Sequence, residues 1–441
     1  MLIQANALYI PLADQSVHCV VTSPPYWGLR KYEGAQEMIW PAPGMIDPSP
    51  CAHEWVTEFK KRAGGGERDY GSFDGAVGRG PAVKLPESNT CKLCGAWRGQ
   101  LGLEPTIEMY LAHMVQIFRE VRRVLRSDGT LWLNLGDSYA ASPAGNFSKS
   151  MPKPADGGAY RENKPFMNWA ANNLKPKDLC GIPWRVAFAL QADGWFLRSD
   201  IIWSKPNPMP ESVTDRPTKA HEYIFLLTKS ARYFYDADAV RESFADERMG
   251  RDGSQLDSER NRGGRTDGFT KPNGIDPSAN GGRNMRSVWW IPTQPYAGAH
   301  FATFPEEIPY KCIAAGTSER GVCPQCAAPW ARVTDTTRTF ESGSGRAGNL
   351  PIGKNGAGLQ GGGETLDVRR GPVVHTQTTG WRPTCACQSP VGTPALQPAL
   401  VLDPFGGSGT VGEVALKMGR RFVLLDLAYQ HLQRERIGLF A

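Results

Sequence analysis

The stretch from residue 399 to residue 426 constrains the fold most. ALVLDPF (399–405) is an apolar, β-branched run, GGSGT (406–410) a tight glycine turn, VGEVALKM (411–418) has helical spacing, and RFVLLD (421–426) is a second apolar run. Two short strands joined by a crossover helix pair in parallel, in a sheet with helices on its faces. Glycine in the turn lets the backbone approach a ligand closely and delivers that ligand to a helix N-terminus. Asp426 ends the second strand, where a carboxylate can accept bonds from ribose hydroxyls. Gly407, Gly409 and Gly412 satisfy G-x-G-x-x-G, but no Gly-Lys-Ser/Thr follows, so this is not a Walker loop. A plain glycine turn is the bland alternative; strand, turn, helix, strand and terminal acid in order argue against it.

The same alternation runs upstream. Val17 to Val21 reads as a buried strand that meets the rigid pair Pro24-Pro25. Residues 106–126 carry one apolar stripe, Ile107, Leu111, Met114, Phe118, Val121 and Leu125, with Thr106 suited to start the helix and Asp128-Gly129 to stop it. Strands are expected at 130–138, 195–203 and 222–228, and a helix at 183–193. The pattern predicts an α/β sheet with parallel strands.

Glycine (49) and proline (35) make up about a fifth of the 441 residues against a usual ~12%, which points to long inserts. They fall at 34–105 and 317–395, with a polar gap at 140–178 and a flexible stretch at 241–286. The net charge of +6 permits a polyanionic partner. Six arginines, Arg241, Arg248, Arg251, Arg260, Arg262 and Arg265, are interleaved with acids and read as a solvated surface loop. No run of 18 apolar residues exists, and the start has no basic-then-apolar leader, so neither a membrane span nor secretion is expected.

A second motif, Thr22-Ser23-Pro24-Pro25-Tyr26-Trp27, ends the first strand. Two prolines fix the backbone, so the Ser23 hydroxyl and the Pro24 carbonyl can converge beside an aromatic face. That arrangement suits a planar amine, with Tyr26 as stacking surface. A proline turn flanked by core aromatics is the alternative on these residues alone.

S-P-P-Y after an apolar strand, with D-P-F-G-G-S-G-T later, resembles the amino-methylating DNA methyltransferases. Catalytic motif first and cofactor motif last matches their circularly permuted β group. The resemblance takes in residues 106–137, the loop from Asp200 through Trp203-Ser-Lys-Pro-Asn-Pro-Met-Pro210, and His300 to Glu307. It implies a single catalytic domain over 1–441, a Rossmann-like sheet that binds S-adenosylmethionine (AdoMet), and methyl transfer to the exocyclic nitrogen of a flipped base in double-stranded DNA. By motif position, Ser23, Pro24, Pro25 and Tyr26 become catalytic candidates. Asp403, Phe405, Gly406, Gly407, Ser408, Gly409, Thr410 and Asp426 become cofactor candidates, and Trp27, Lys205 and Asn207 base contacts. Residues 396–441 are the AdoMet-binding part, and 140–286 holds target recognition by elimination. Serine at the first motif position is commoner in cytosine-N4 enzymes and aspartate in adenine-N6 enzymes, so Ser23 favours cytosine, with adenine-N6 the alternative. A cytoplasmic enzyme of a bacterium or phage is implied, with a restriction endonuclease partner left open. In the family, the segment before the cofactor strand runs almost directly into it; here 317–395 intervene and must loop out.

Exocyclic amines are conjugated with their rings. Acceptors on the N–H groups draw the nitrogen toward a pyramidal shape from which it can attack in line, so catalysis is positioning and electrostatics and needs no catalytic cysteine. The ten cysteines are distributed accordingly. Cys51, His53, Cys91 and Cys94 form one four-ligand set suited to tetrahedral Zn2+, and Cys323, Cys326, Cys385 and Cys387 a second, each in a glycine-rich insert that metal would help to fold. Reduced structural thiols are the alternative. Two rival classes remain: a nicotinamide dehydrogenase, against which stands the short chain after Asp403, and a zinc-dependent nucleic-acid-binding adaptor, which would leave both motifs idle.

Overall fold

The computed structural model describes residues 1–28, 37–42, 51–56, 88–140, 172–242, 283–294, 304–339, 373–387 and 395–438. Within them an eight-stranded sheet runs β1 (Leu2–Gln4), β14 (Arg421–Asp426), β13 (Leu400–Asp403), β2 (Val17–Thr22), β7 (Leu125–Leu135), β9 (His221–Thr228), β8 (Phe196–Ser204), β10 (Val288–Trp290). One face carries α1 (Ile107–Val124) and α2 (Ile182–Ala192); the other carries α3 (Glu307–Gly316) and α4 (Thr410–Lys417). Helix α5 (Gln430–Ile437) packs on α4 and β1.

The strands alternate as a sheet covered on both sides requires. In β13, Leu400 and Leu402 enter the α1 side and Val401 the α4 side; in β9, Phe225 and Leu227 face one way and Ile224 and Leu226 the other. Helix α1 buries its stripe at Met114, Phe118 and Val121, and Thr106 caps it by accepting the Met109 N–H at 3.2 Å.

The sheet is not wholly parallel. Strand β9 is antiparallel to both β7 and β8, while every other pair is parallel. The reason lies in the 205–220 link, which has no helix to carry the chain back over the sheet. Strand β7 also begins at Leu125, so Asp128-Gly129 lies inside a strand; Arg126 grips both Asp128 carboxylate oxygens, at 2.8 and 3.0 Å. The N-terminal strand β1 gave no sequence signal.

Neither cysteine-bearing insert is mere loop. The described part of 34–105 is an antiparallel sheet in the order β3 (Met38–Trp40), β6 (Trp97–Gly99), β5 (Ser88–Cys91), β4 (Trp55–Val56). Trp40 and Trp97 belong to the main core. The 317–395 segment holds a long antiparallel strand pair, β11 (Trp330–Thr339) with β12 (Val373–Pro383). Much of 140–286, including Arg248, Arg251, Arg260, Arg262 and Arg265, and residues 300–303 lie outside the described residues. Among the described residues no helix is long and apolar enough to cross a membrane.

Candidate active site

Strands β13 and β2 are neighbours, but the chain leaves them in opposite directions, through α4 to β14 on one side and through α1 to β7 on the other. Open α/β sheets bind ligands outside the strand C-termini at such a switch point. A cavity of about 740 Å³ opens there, within the range of small-molecule sites.

One wall is the glycine turn. Asp403, Phe405, Gly406, Gly407, Ser408, Thr410 and Asp426 all line the cavity. Asp403 Oδ1 accepts the Thr22 hydroxyl at 2.6 Å and the Phe405 N–H at 3.0 Å. Burial raises its pKa to about 7, and the nearby Asp426 charge adds to the rise, against the pull of these two bonds. Asp426 Oδ2 accepts the Gly407 N–H at 2.9 Å, and Oδ1 the N–H groups of Ala428 and Tyr429. The carboxylate therefore braces both loops of this wall. Gly409, not itself in the lining, sits at φ +90° where α4 begins, and a Cβ there would lie 3.2 Å from Gln433 Cα. Ser408 is turned partly toward α5, accepting Arg436 at 3.2 Å.

The other wall is the Ser23–Tyr26 turn. The Ser23 hydroxyl donates to the Tyr26 hydroxyl at 3.1 Å, which donates to Glu222 Oε2 at 2.7 Å. Asn134 Nδ2 donates to the same carboxylate oxygen at 3.0 Å and to Tyr26 at 2.8 Å, which fixes its amide orientation. Lys205 Nζ donates to Glu222 Oε1 at 2.5 Å and lies 4.3 Å from the Trp203 ring centroid. Burial works to raise the Glu222 pKa, but the Lys205 charge and the bonds from Lys205, Tyr26 and Asn134 outweigh it and hold it below the usual range. An ionised Glu222 can only accept, so the hydrogens point Ser23 to Tyr26 to Glu222. Ser23 Oγ accepts a long bond from Asn134 Nδ2 at 3.4 Å and keeps its second lone pair as an acceptor toward the cavity.

Two expected base contacts sit elsewhere. Trp27 is fully buried, with its indole N–H on the Glu104 carbonyl at 2.9 Å, because the chain turns it into the α1-side core. Asn207 is outside the cavity lining, where its side chain clamps the Thr293 backbone. Glu222 and Asn134 escaped the sequence reading. Their signal was a polar residue inside or at the head of an apolar strand run, LWLNL and HEYIFLLT.

Each expected ligand set converges. The ligand atoms of Cys51, His53, Cys91 and Cys94 lie within 4.8 Å of one another, as do those of Cys323, Cys326, Cys385 and Cys387. Cys51 and Cys91 sulfurs are 3.8 Å apart, and Cys94 Sγ is 3.5 Å from His53 Nδ1. Tetrahedral zinc at about 2.3 Å from sulfur gives S···S edges of about 3.8 Å. In the second set, contact with Cys326 and then Cys385 pushes Cys387 up to about 12, while the Cys326 N–H leads the effects that bring Cys323 down to about 7. Four thiols this close resist joint ionisation unless a cation shares the charge.

Comparisons with known proteins give the chain a family. The N6/N4-methyltransferase family model, described as DNA methylase, matches residues 17–323, a span that ends before the glycine turn. The type II methyltransferase M.Cfr9I of Citrobacter freundii is 38% identical over 306 residues, 69% of this chain and 68% of its own length. M.SmaI of Serratia marcescens is 36% identical over 310 residues, 70% of this chain and 72% of its own. Among solved structures, the cytosine-N4-specific PvuII DNA methyltransferase aligns with 99% of this chain and 85% of its own, at 12% identity and a TM-score of 0.43. The chain belongs to the N6/N4 DNA methylase family.

Proposed function

We propose that the chain transfers a methyl group from AdoMet to the exocyclic amine of a base flipped out of double-stranded DNA, cytosine N4 in preference to adenine N6. The carrying observation is the directed chain Ser23–Tyr26–Glu222, which leaves a hydrogen-bond acceptor facing the cavity. The glycine turn, the braced Asp426 carboxylate and the cavity volume suit AdoMet, which when bound supplies an electrophilic sulfonium methyl. Ser23 Oγ and the Pro24 carbonyl accept the amine N–H groups and draw the nitrogen lone pair out of conjugation. Tyr26, tethered at its hydroxyl, offers its ring to the base. The preference for cytosine rests on Ser23 and the family resemblance, and the motif order supports the circularly permuted arrangement.

Labelled AdoMet, unmodified DNA and the purified protein, followed by nucleoside mass spectrometry, test this. Label in N4-methylcytosine is expected. Label in N6-methyladenine would overturn the reading of Ser23 and keep the reaction class. A restriction endonuclease that cuts the same sequence is the partner this activity would protect against.

We assign structural Zn2+ to both four-ligand sets, on their closed N/S donor chemistry and their sulfur spacing. Elemental analysis should return two zinc ions per chain.

A further inference from the structure

We propose that the metal of the Cys51/His53/Cys91/Cys94 set braces the wall of the target-base pocket and holds the Pro24–Trp27 loop in its working shape, whereas the Cys323/Cys326/Cys385/Cys387 metal closes the far end of the sheet. The inference rests on the methyltransferase and zinc readings above.

A continuous run of contacts leads from the first set to the catalytic loop. Gly95, at φ +74°, follows Cys94 directly, and the Ala96 carbonyl accepts the Cys91 N–H at 2.7 Å. Strand β6 begins one residue later. It runs into Gln100 and Leu101, which line the cavity beside Met38 and Trp40 of β3. Gly102 follows at φ +89°, and a Cβ there would lie 3.0 Å from the Tyr26 carbonyl. The Gly102 carbonyl accepts the Gly28 N–H at 2.9 Å, and its own N–H donates to Glu104 Oε2 at 2.8 Å.

Glu104 joins both sides. Its carbonyl accepts the Trp27 indole, and its Oε1 meets His113 Nδ1 at 2.9 Å. His113 stacks on Trp40 and Trp97, at centroid distances of 4.6 and 5.7 Å. The small sheet that carries all this has strands of two to four residues, and β5 meets β6 at the single pair Thr90–Trp97. So short a ladder is marginal by itself. A metal that ties Cys51 and His53 to Cys91 and Cys94 supplies the missing constraint.

The second set lies at the other end. The Ala327 carbonyl meets His18 Nε2 at 2.9 Å and the Cys326 carbonyl accepts Arg126 at 2.8 Å, both near the start of a sheet strand. Five residues of extended strand, about 17 Å, separate His18 from Ser23. No described residue of 317–395 lines the cavity.

The test compares C94S and C326S in the full chain, reading zinc content, methyl-transfer rate, AdoMet affinity and amide hydrogen exchange. C94S should lose one zinc, slow methyl transfer at least 30-fold, keep its AdoMet Kd within threefold, and speed exchange at Gly28 and Gly102 at least tenfold. C326S should lose the other zinc and lower Tm, with exchange at Gly28 and Gly102 as in the wild type. H53C, which keeps four ligands by exchanging an imidazole for a thiolate, guards against simple loss of fold: it should keep zinc, turnover and slow exchange. A C94S protein that has lost its zinc yet methylates at the wild-type rate overturns the proposal, as does equal acceleration of exchange in C326S. A wild type without zinc overturns the zinc reading and this inference together. A wild type with two zinc ions and no methylation overturns the methyltransferase reading and with it the target-base role of the pocket, while the exchange data still decide whether the metal holds the Pro24–Trp27 loop.

Discussion

Replacing Glu222 by glutamine tests the hydrogen-bond direction at Ser23. The carboxylate accepts three bonds, from Lys205 at 2.5 Å, Tyr26 at 2.7 Å and Asn134 at 3.0 Å. An amide cannot repeat this pattern. If its oxygen faces Tyr26 and Asn134, its NH2 faces the Lys205 ammonium, donor against donor. If its NH2 faces Tyr26, the phenol must turn its hydrogen away, and Ser23 can then present its own hydrogen to the cavity where an acceptor is needed. A charged acceptor exceeds a neutral one by about 1–2 kcal/mol per bond. Lys205 keeps some solvent and the Trp203 face, which limits its loss. A cost of about 2–3 kcal/mol at the transition state is roughly 30- to 150-fold in kcat. The Asp403–Asp426 wall makes no bond to Glu222, so AdoMet affinity should stay within twofold. Single-turnover transfer from labelled AdoMet, with calorimetry for binding, measures both. Combining E222Q with Tyr26→Phe should cost little beyond Y26F alone, because both break one chain. Turnover of E222Q within threefold of wild type, or additive losses in the double variant, would refute the directed-chain argument.

Three further outcomes are expected. Gly409→Ala forces a side chain into a left-handed position 3.2 Å from Gln433 Cα, and should cost about 1–2 kcal/mol of stability by denaturant titration; an unchanged midpoint would contradict it. Gln433 is fully buried with both amide atoms unpaired among the described residues, so Gln433→Met should raise stability by about 1 kcal/mol, and a lowered Tm would mean that the amide has a partner. Burial lowers the His18 pKa to about 4. A depressed folded-state pKa means the unfolded chain takes the proton first, so stability is full above about pH 6.5 and falls by up to about 3 kcal/mol toward pH 4. His18→Gln should flatten that slope, and an unchanged slope would remove His18 from the account.

The strands that carry the site were legible because apolar runs and turn residues agreed. Val17–Thr22 and Arg421–Asp426 fall within a residue of their expected ends, and Leu400–Asp403 stops two residues before its own. Direction was harder. Strands β8 and β9 looked like further parallel strands, since an apolar run carries no record of its orientation. The helix-free 205–220 link held that information and went unread. Strand β1 was invisible for another reason: three residues at a sheet edge pair through backbone groups with β14, and their side chains need carry no pattern.

The site shows the same divide between motif and environment. Ser23, Tyr26, Asp403 and Asp426 belong to short, recognisable strings, and the fold brings them to one cavity. Glu222 stands 196 positions from the Tyr26 it bonds, and only the sheet order, with β7 between β2 and β9, makes them neighbours. Trp27 shows the reverse error. Its place in the string suggested a base contact, yet the same turn that exposes Ser23 must send an adjacent side chain inward, and the indole is the larger apolar surface to bury. A motif therefore names the residues at a turn but not which of them the core claims. That choice follows from what packs beneath the turn, here Glu104, His113 and the cysteine-bearing sheet.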